Sequence, residues 1–437
     1  MNSRTAIGDR GLLRAIGRWD LVALVINGIV GAGIFGLPAR VHALLGVNAL
    51  WAIIACAVII GFVILCFAEV ASRFEQTGGP FVYAGTAFGP GAGFLTGWVL
   101  WVARVTGCCA ICSLFLQYAG YFNPYIDHGA GRVVAAVAVV GTLTLIHFFG
   151  VKRAVVFGNI VTVGKLLPLL IFVAFGLVHM DPTRFSQSGP PLNAHFAQAV
   201  LLLGFALVGW ESVVVTAGET RSPQRDLPFA LIAGLCTVTI LYLLIQIVCI
   251  GTLPQLSTSE RPVVDAARIF LGSKGATLIT IGALISMLGT LNVTMLTVSR
   301  VPYAMALAGQ LPRALGAVHP RYRTPHVAVV LSGLLVLALT LSSGFVYLLT
   351  ISTISRLLVF AATCMSVPKL RHMAAVPAAR FVLPGGPIIP CTAVMMIAWL
   401  LVSSSWIESR DVTILILLGS LLYAVGKWRA QRVRPAL

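Results

Sequence analysis

Charge is what this chain has least of. Only 10% of its 437 residues are Asp, Glu, Lys or Arg, and just 13 of them are acidic. A soluble domain carries about a quarter charged residues, so a water-facing surface over the whole molecule is excluded. The ten-residue segments of alternating polarity that build a transmembrane barrel are missing as well. Paired carboxylates, a His/Asp metal set and a GxSxG elbow are absent from the apolar segments, which argues against an intramembrane enzyme. The polar, basic N-terminal stretch leads into an apolar segment far longer than a signal-peptide core, so no cleavage is expected.

What is present is apolar and long. Hydrophobic residues make up 58% of the chain, in runs near or above the roughly 20 residues that cross a bilayer. The runs predict an all-α polytopic membrane protein with about twelve transmembrane helices. They fall at 19–44, 48–70, 93–122, 131–149, 154–179, 196–219, 228–252, 272–306, 326–343, 346–367, 388–406 and 411–427. The net charge of +17 follows topology rather than nucleic acid: about 20 Lys/Arg fall on one side and about seven on the other. That asymmetry predicts both termini in the cytoplasm of a cell (inner or plasma) membrane protein, with 1–18 and 428–437 as cytoplasmic segments. The nine cysteines lie in or beside spans. Cys108, Cys109 and Cys112 form a CCxxC that reads as small packing residues, and neither a metal nor a cofactor is expected. Loops are short, so 1–437 reads as one membrane domain, with 76–93 an interfacial element between the second and third spans.

Two spans are interrupted by glycine. The first holds "NGIVGAGIFG", with Gly28, Gly31, Gly33 and Gly36; the sixth holds "LLLGFALVGWES", with Gly204 and Gly209. Glycine costs roughly 1 kcal/mol against alanine inside a helix. Five spans separate the two starts, and the sixth begins on the opposite face. Residues 19–179 and 196–367 therefore read as two five-helix repeats of inverted topology, with 388–427 as two additional helices. Such paired interruptions point to a substrate site near the midplane. Freed N–H groups from Ala32 to Phe35 suit a carboxylate, and freed carbonyls suit an ammonium. Together they describe a receptor for an α-amino acid.

At these residues the chain resembles the amino acid–polyamine–organocation superfamily of transporters over essentially its whole length. "NGIVGAGIFGLP" is similar to that family's first-helix signature, and "FAEVASRFEQTGGPFVYAGTAFG" to its stretch after the second span. "GWESVVVTAGETRSPQRDLPFAL" resembles its sixth-span motif, and "SRVPYAMALAGQLPRAL" with "HPRYRTP" its eighth-span exit. The resemblance implies a LeuT-like 5+5 inverted repeat with broken first and sixth helices, alternating access and amino-acid substrates. It implies substrate contacts from Ile29, Val30, Gly31, Ala32, Gly33 and Ile34. It also implies an unwound stretch from Phe205 through Ala206 and Leu207 to Gly209, and Trp210 as a candidate aromatic gate.

Ionisable groups inside a membrane are functional by default. Lys165 lies about 16 Å into the fifth span at 1.5 Å per residue. The resemblance implies that its ammonium stands where sodium-dependent relatives hold a metal ion. There it would bond carbonyls near Gly28 and an eighth-span hydroxyl, Ser286 or Thr290. Two roles stay open for it, proton exchange in each cycle or a permanent tether. Glu211, directly after the sixth-span break, reads either as a gate or proton-linked group or as a tether to the broken backbone. Arg104 and Arg356 read as ion-pair partners or as contacts to an anionic substrate. Asp20 reads as the start cap of the first helix, His147 as interfacial, and Glu219 as an ion-pair partner for Arg221 or Arg225. The expectation is a sodium-independent secondary transporter of amino acids, working as a proton symporter or an exchanger in the lipid bilayer, without nucleic-acid partners. The alternatives are a polyamine or organic-cation carrier of the same fold, and a non-transporting amino-acid sensor.

Overall fold

The computed structural model describes residues 17–74, 79–149, 152–186, 194–215, 223–322 and 324–433. Among them fifteen α-helices account for the twelve expected spans, because two spans are split and one short helix lies between spans. The first span is α1 (Arg18–Ile29) and α2 (Gly33–Leu45). At its start the Asp20 carboxylate accepts the Gly17 N–H at 2.9 Å, so Asp20 acts from the first turn rather than as the cap itself. The second and third spans are α3 (Ala49–Ala71) and α5 (Pro90–Ala119), with α4 (Pro80–Phe88) between them, packed on α5. Then come α6 (Gly129–Phe149) and α7 (Lys152–Val178). The sixth span is α8 (Ala194–Ala206) and α9 (Glu211–Val215), followed by α10 (Pro223–Thr252). α11 (Pro262–Leu307) bends at Gly272, whose φ of 66° only glycine adopts cheaply. The remaining helices are α12 (His326–Ser342), α13 (Phe345–Arg371), α14 (Ile388–Val402) and α15 (Trp406–Val433).

Two layers hold the site between them. In one, α1 packs on α10, α2 on α8, and α3 on both α8 and α10; in the other, α5, α6, α11 and α12 pack together. α13 lies against α5, α3 and α8 and so joins the layers. The outer surfaces stay apolar and uncovered, as at Leu145, Leu167, Phe175, Ile240, Leu334 and Leu417. Trp19, Trp51, Trp406 and Trp428 are exposed near helix ends, where membrane proteins place interfacial aromatic rings. This is a multi-pass membrane protein. The expected pairing of Glu219 with Arg221 or Arg225 lies outside the described residues, since 216–222 are not among them.

His147 departs from expectation. It is buried, and its Nε2 lies 3.0 Å from the Asn292 carbonyl, to which it donates. The chain after α11 folds back over the end of α6, where Thr324 Oγ1 donates to Phe148 O at 2.7 Å, and this covers the interfacial position.

At the end of α3 the Glu69 carboxylate is completely buried and fully bonded. Arg371 donates to it at 2.8 and 2.6 Å, Arg73 at 3.2 Å and the Leu383 N–H at 2.8 Å. One carboxylate thus ties the ends of α3 and α13 to the chain entering α14. Breaking a buried pair from one side costs about 3–5 kcal/mol, because the remaining charge is left uncompensated. Glu69→Gln should therefore lower the melting temperature of the detergent-purified protein by several degrees, read by tryptophan fluorescence. An unchanged melting temperature would remove this clamp as a determinant of stability.

Candidate substrate site between two broken helices

The first break covers residues 30–32. α1 ends at Ile29, Val30 takes an extended conformation (φ −69°, ψ 97°), and α2 opens at Gly33. The second covers 207–210, starting two residues later than expected, because Phe205 and Ala206 complete the last turn of α8. The breaks face each other backbone to backbone. A Cβ on Gly28 would stand 2.7 Å from Gly209 O, and one on Gly33 would stand 2.6 Å from Ala206 Cα. Gly209 has φ 114°, and a Cβ there would meet Gly28 O. These glycines are therefore present for close approach as well as for loss of helix.

Each break releases groups that hydrocarbon cannot satisfy, and side chains meet them. The Lys165 ammonium, with the residue only 2% exposed, donates to Asn27 O at 2.5 Å and to Val30 O at 2.8 Å. The Tyr242 hydroxyl stands 3.1 Å from both Ile29 O and Ala206 O, so a single O–H bridges the two breaks. Gly209 N donates to Glu211 Oε2 at 2.7 Å, and Arg356 pairs with Glu211 Oε1. The expected eighth-span hydroxyl does not join Lys165. Thr290 Oγ1 donates within its own helix to Ser286 O at 3.0 Å, and Ser286 Oγ is buried without a partner. In a helix a hydroxyl readily turns back to the carbonyl four residues earlier, and that local bond wins here.

A cavity of about 220 Å³ opens beside the breaks. Gly28, Ile29, Gly31, Ala32 and Gly33 line it from the first span, and Phe205, Gly209 and Glu211 from the sixth. Arg104, Thr290 and Arg356 complete the expected set. Val30, Ile34, Ala206, Leu207, Lys165 and Ser286 are not among the lining residues. Trp210 does not reach it either: fully buried, it packs its ring 4.9 Å from Phe67 and 5.3 Å from Phe360. The aromatic ring at the cavity is Phe205. Sequence reasoning also missed Asn27, Gly289, Thr294 and Thr297 in the lining, and Tyr242 behind it. A tyrosine in mid-span was the available signal for Tyr242, since a buried phenol needs a partner. Among the conspicuous cysteines, Cys109 spends its thiol on Val336 O at 3.4 Å.

Residues 16–421 match the sequence model of a family described as amino acid permease. Among curated relatives, the branched-chain amino acid permease BcaP of Bacillus subtilis is 28% identical, covering 95% of this chain and 93% of its own. The serine/threonine exchanger SteT of the same organism is 30% identical over 94% and 95%. The arginine/ornithine antiporter of Latilactobacillus sakei is 28% identical over 74% and 71%.

Removing the bridging hydroxyl leaves one carbonyl on each break without that partner, worth about 1–3 kcal/mol per buried group. Tyr242→Phe should lower the melting temperature by a few degrees while the protein still elutes as a single species. A thermally silent variant would show that the breaks hold together without this bond.

Proposed function

The chain belongs to the amino acid permease family, and we propose that it carries amino acids across a cell membrane without sodium, by exposing the cavity between its broken helices to either side in turn. The substrate's carboxylate meets the start of α2 at Gly33, which lines the cavity and where the helix dipole is positive. Its ammonium meets carbonyls of the breaks, which helices leave free only where they are interrupted. The two halves, 19–179 and 196–367, act as inverted repeats that rock about this point, with both termini in the cytoplasm.

One observation carries the claim of sodium independence: the Lys165 ammonium already occupies the carbonyls of Asn27 and Val30. A metal ion at that place would need those oxygens, and two cations do not share them. The ammonium also puts a titratable proton in direct contact with the first break, so coupling runs through a proton or through exchange for an internal substrate.

Uptake of labelled amino acids into proteoliposomes tests this, with sodium, the pH gradient and internal counter-substrate varied separately. Replacing sodium by choline should leave the rate unchanged, and a pH gradient or internal counter-substrate should raise it severalfold. Lys165→Ala should reduce uptake to below about a tenth, the cost of leaving break carbonyls unpaired. Sodium-driven accumulation would overturn the reading of Lys165, and wild-type uptake by the variant would do the same.

A further inference from the structure

The cavity carries more positive charge than a neutral amino acid needs. Of the charged side chains lining it, two are guanidiniums, Arg104 and Arg356, and one is a carboxylate, Glu211; two minus one leaves +1. Arginine stays protonated, so the excess is permanent. Lys165 does not offset it, since it is cationic when protonated and bonds backbone behind the lining.

The two guanidiniums share one wall. Residues 104, 107 and 111 of α5 lie three and four positions apart and so on one helix face, and both Arg104 and Ile111 line the cavity. Between them Gly107 makes room for Ser352 Oγ, which a Cβ there would meet at 2.8 Å, and the Arg356 Nη2 and Phe205 ring lie at contact distance, 3.5 and 3.7 Å from that Cβ position. Arg356 therefore reaches across from α13 to lie within one turn of Arg104. Neither guanidinium is saturated. Arg104 gives Nη1 to Thr297 Oγ1 at 2.9 Å and Arg356 gives Nη1 to Glu211, while the Nε of each is buried without a partner. Arg356 is only 8% exposed. Unbalanced charge in the middle of a membrane is expensive and is matched by a partner wherever one exists.

We propose that Arg104 and Arg356 form an anion subsite, and that the transported amino acid carries a second carboxylate on its side chain. The inference rests on the reading of the cavity as an amino-acid site and adds its substrate class. The substrate's common end lies on the α1–α2 break, and its side-chain carboxylate turns to the α5–α13 wall. There it accepts from the fork of Arg104, a geometry suited to paired N–H donors. The same wall repels lysine, arginine and polyamines.

The test is competition against labelled L-glutamate and L-aspartate uptake in proteoliposomes, beside thermal stabilisation of the purified protein by each compound. Glutamate and aspartate should outcompete glutamine and asparagine by tenfold or more, the discrimination expected when a charge-assisted bond is lost. Arginine and ornithine should not compete. Arg104→Gln should shrink the glutamate-over-glutamine ratio at least about tenfold, and Arg104→Lys should restore part of it. The wild-type competition and stabilisation need no variant, so they decide the question even where a variant fails to fold. Transport of neutral or cationic amino acids in preference to acidic ones would overturn the anion subsite and leave the amino-acid site standing. Failure to bind or move any amino acid would overturn both.

Discussion

The structure depends on backbone groups that have nowhere to go. A helix interrupted inside a membrane sets free N–H and C=O groups that lipid cannot bond, and each costs several kcal/mol if it stays unpaired. Here two interruptions are brought face to face, and a small set of side chains divides their exposed atoms. Lys165 takes carbonyls of the first break, Tyr242 spans both, and Glu211 caps the second. The groups left over line the cavity. The bonds that hold the breaks and the open groups at the cavity thus draw on one supply of backbone atoms.

The second constraint is electrostatic. Glu211 sits where the sixth span resumes, accepts a backbone N–H from the break and pairs with Arg356. An arginine on α13 is thereby linked to the conformation of a loop on another helix. Any motion that reshapes the second break also shifts a guanidinium at the cavity wall. That arrangement links the cavity wall to the helix that joins the two layers.

Much of this was legible in the sequence, and the reasons are specific. Glycine runs in otherwise continuous apolar segments marked both breaks, because membrane helices rarely give up so much helical propensity without cause. Lys165 was legible because a lone ammonium in an apolar span must find oxygens. What escaped was whatever depends on which face a helix turns. Trp210 closes the second break, yet it is rotated into Phe67 and Phe360 while Phe205 takes the cavity. Thr290 bonds its own helix instead of the lysine, a choice made by a rotamer. Gly107 carried no signal of its own, and only the fold shows that it makes room for Ser352 Oγ and lies beside Arg356. The clamp at Glu69 was hidden because its partners lie hundreds of residues away, at Arg371 and Leu383.

The lysine on the first break has a thermodynamic side. A bound sodium ion can arrive from one compartment and leave to the other, and that crossing lets a carrier draw on the ion's gradient. An ammonium joined to α7 by its own side chain never changes compartment; only its proton is free to do so. On the proposed reading, the membrane's sodium battery is disconnected at this position. A carrier of the proposed kind draws whatever concentration ratio it sustains from the substrates themselves or from protons.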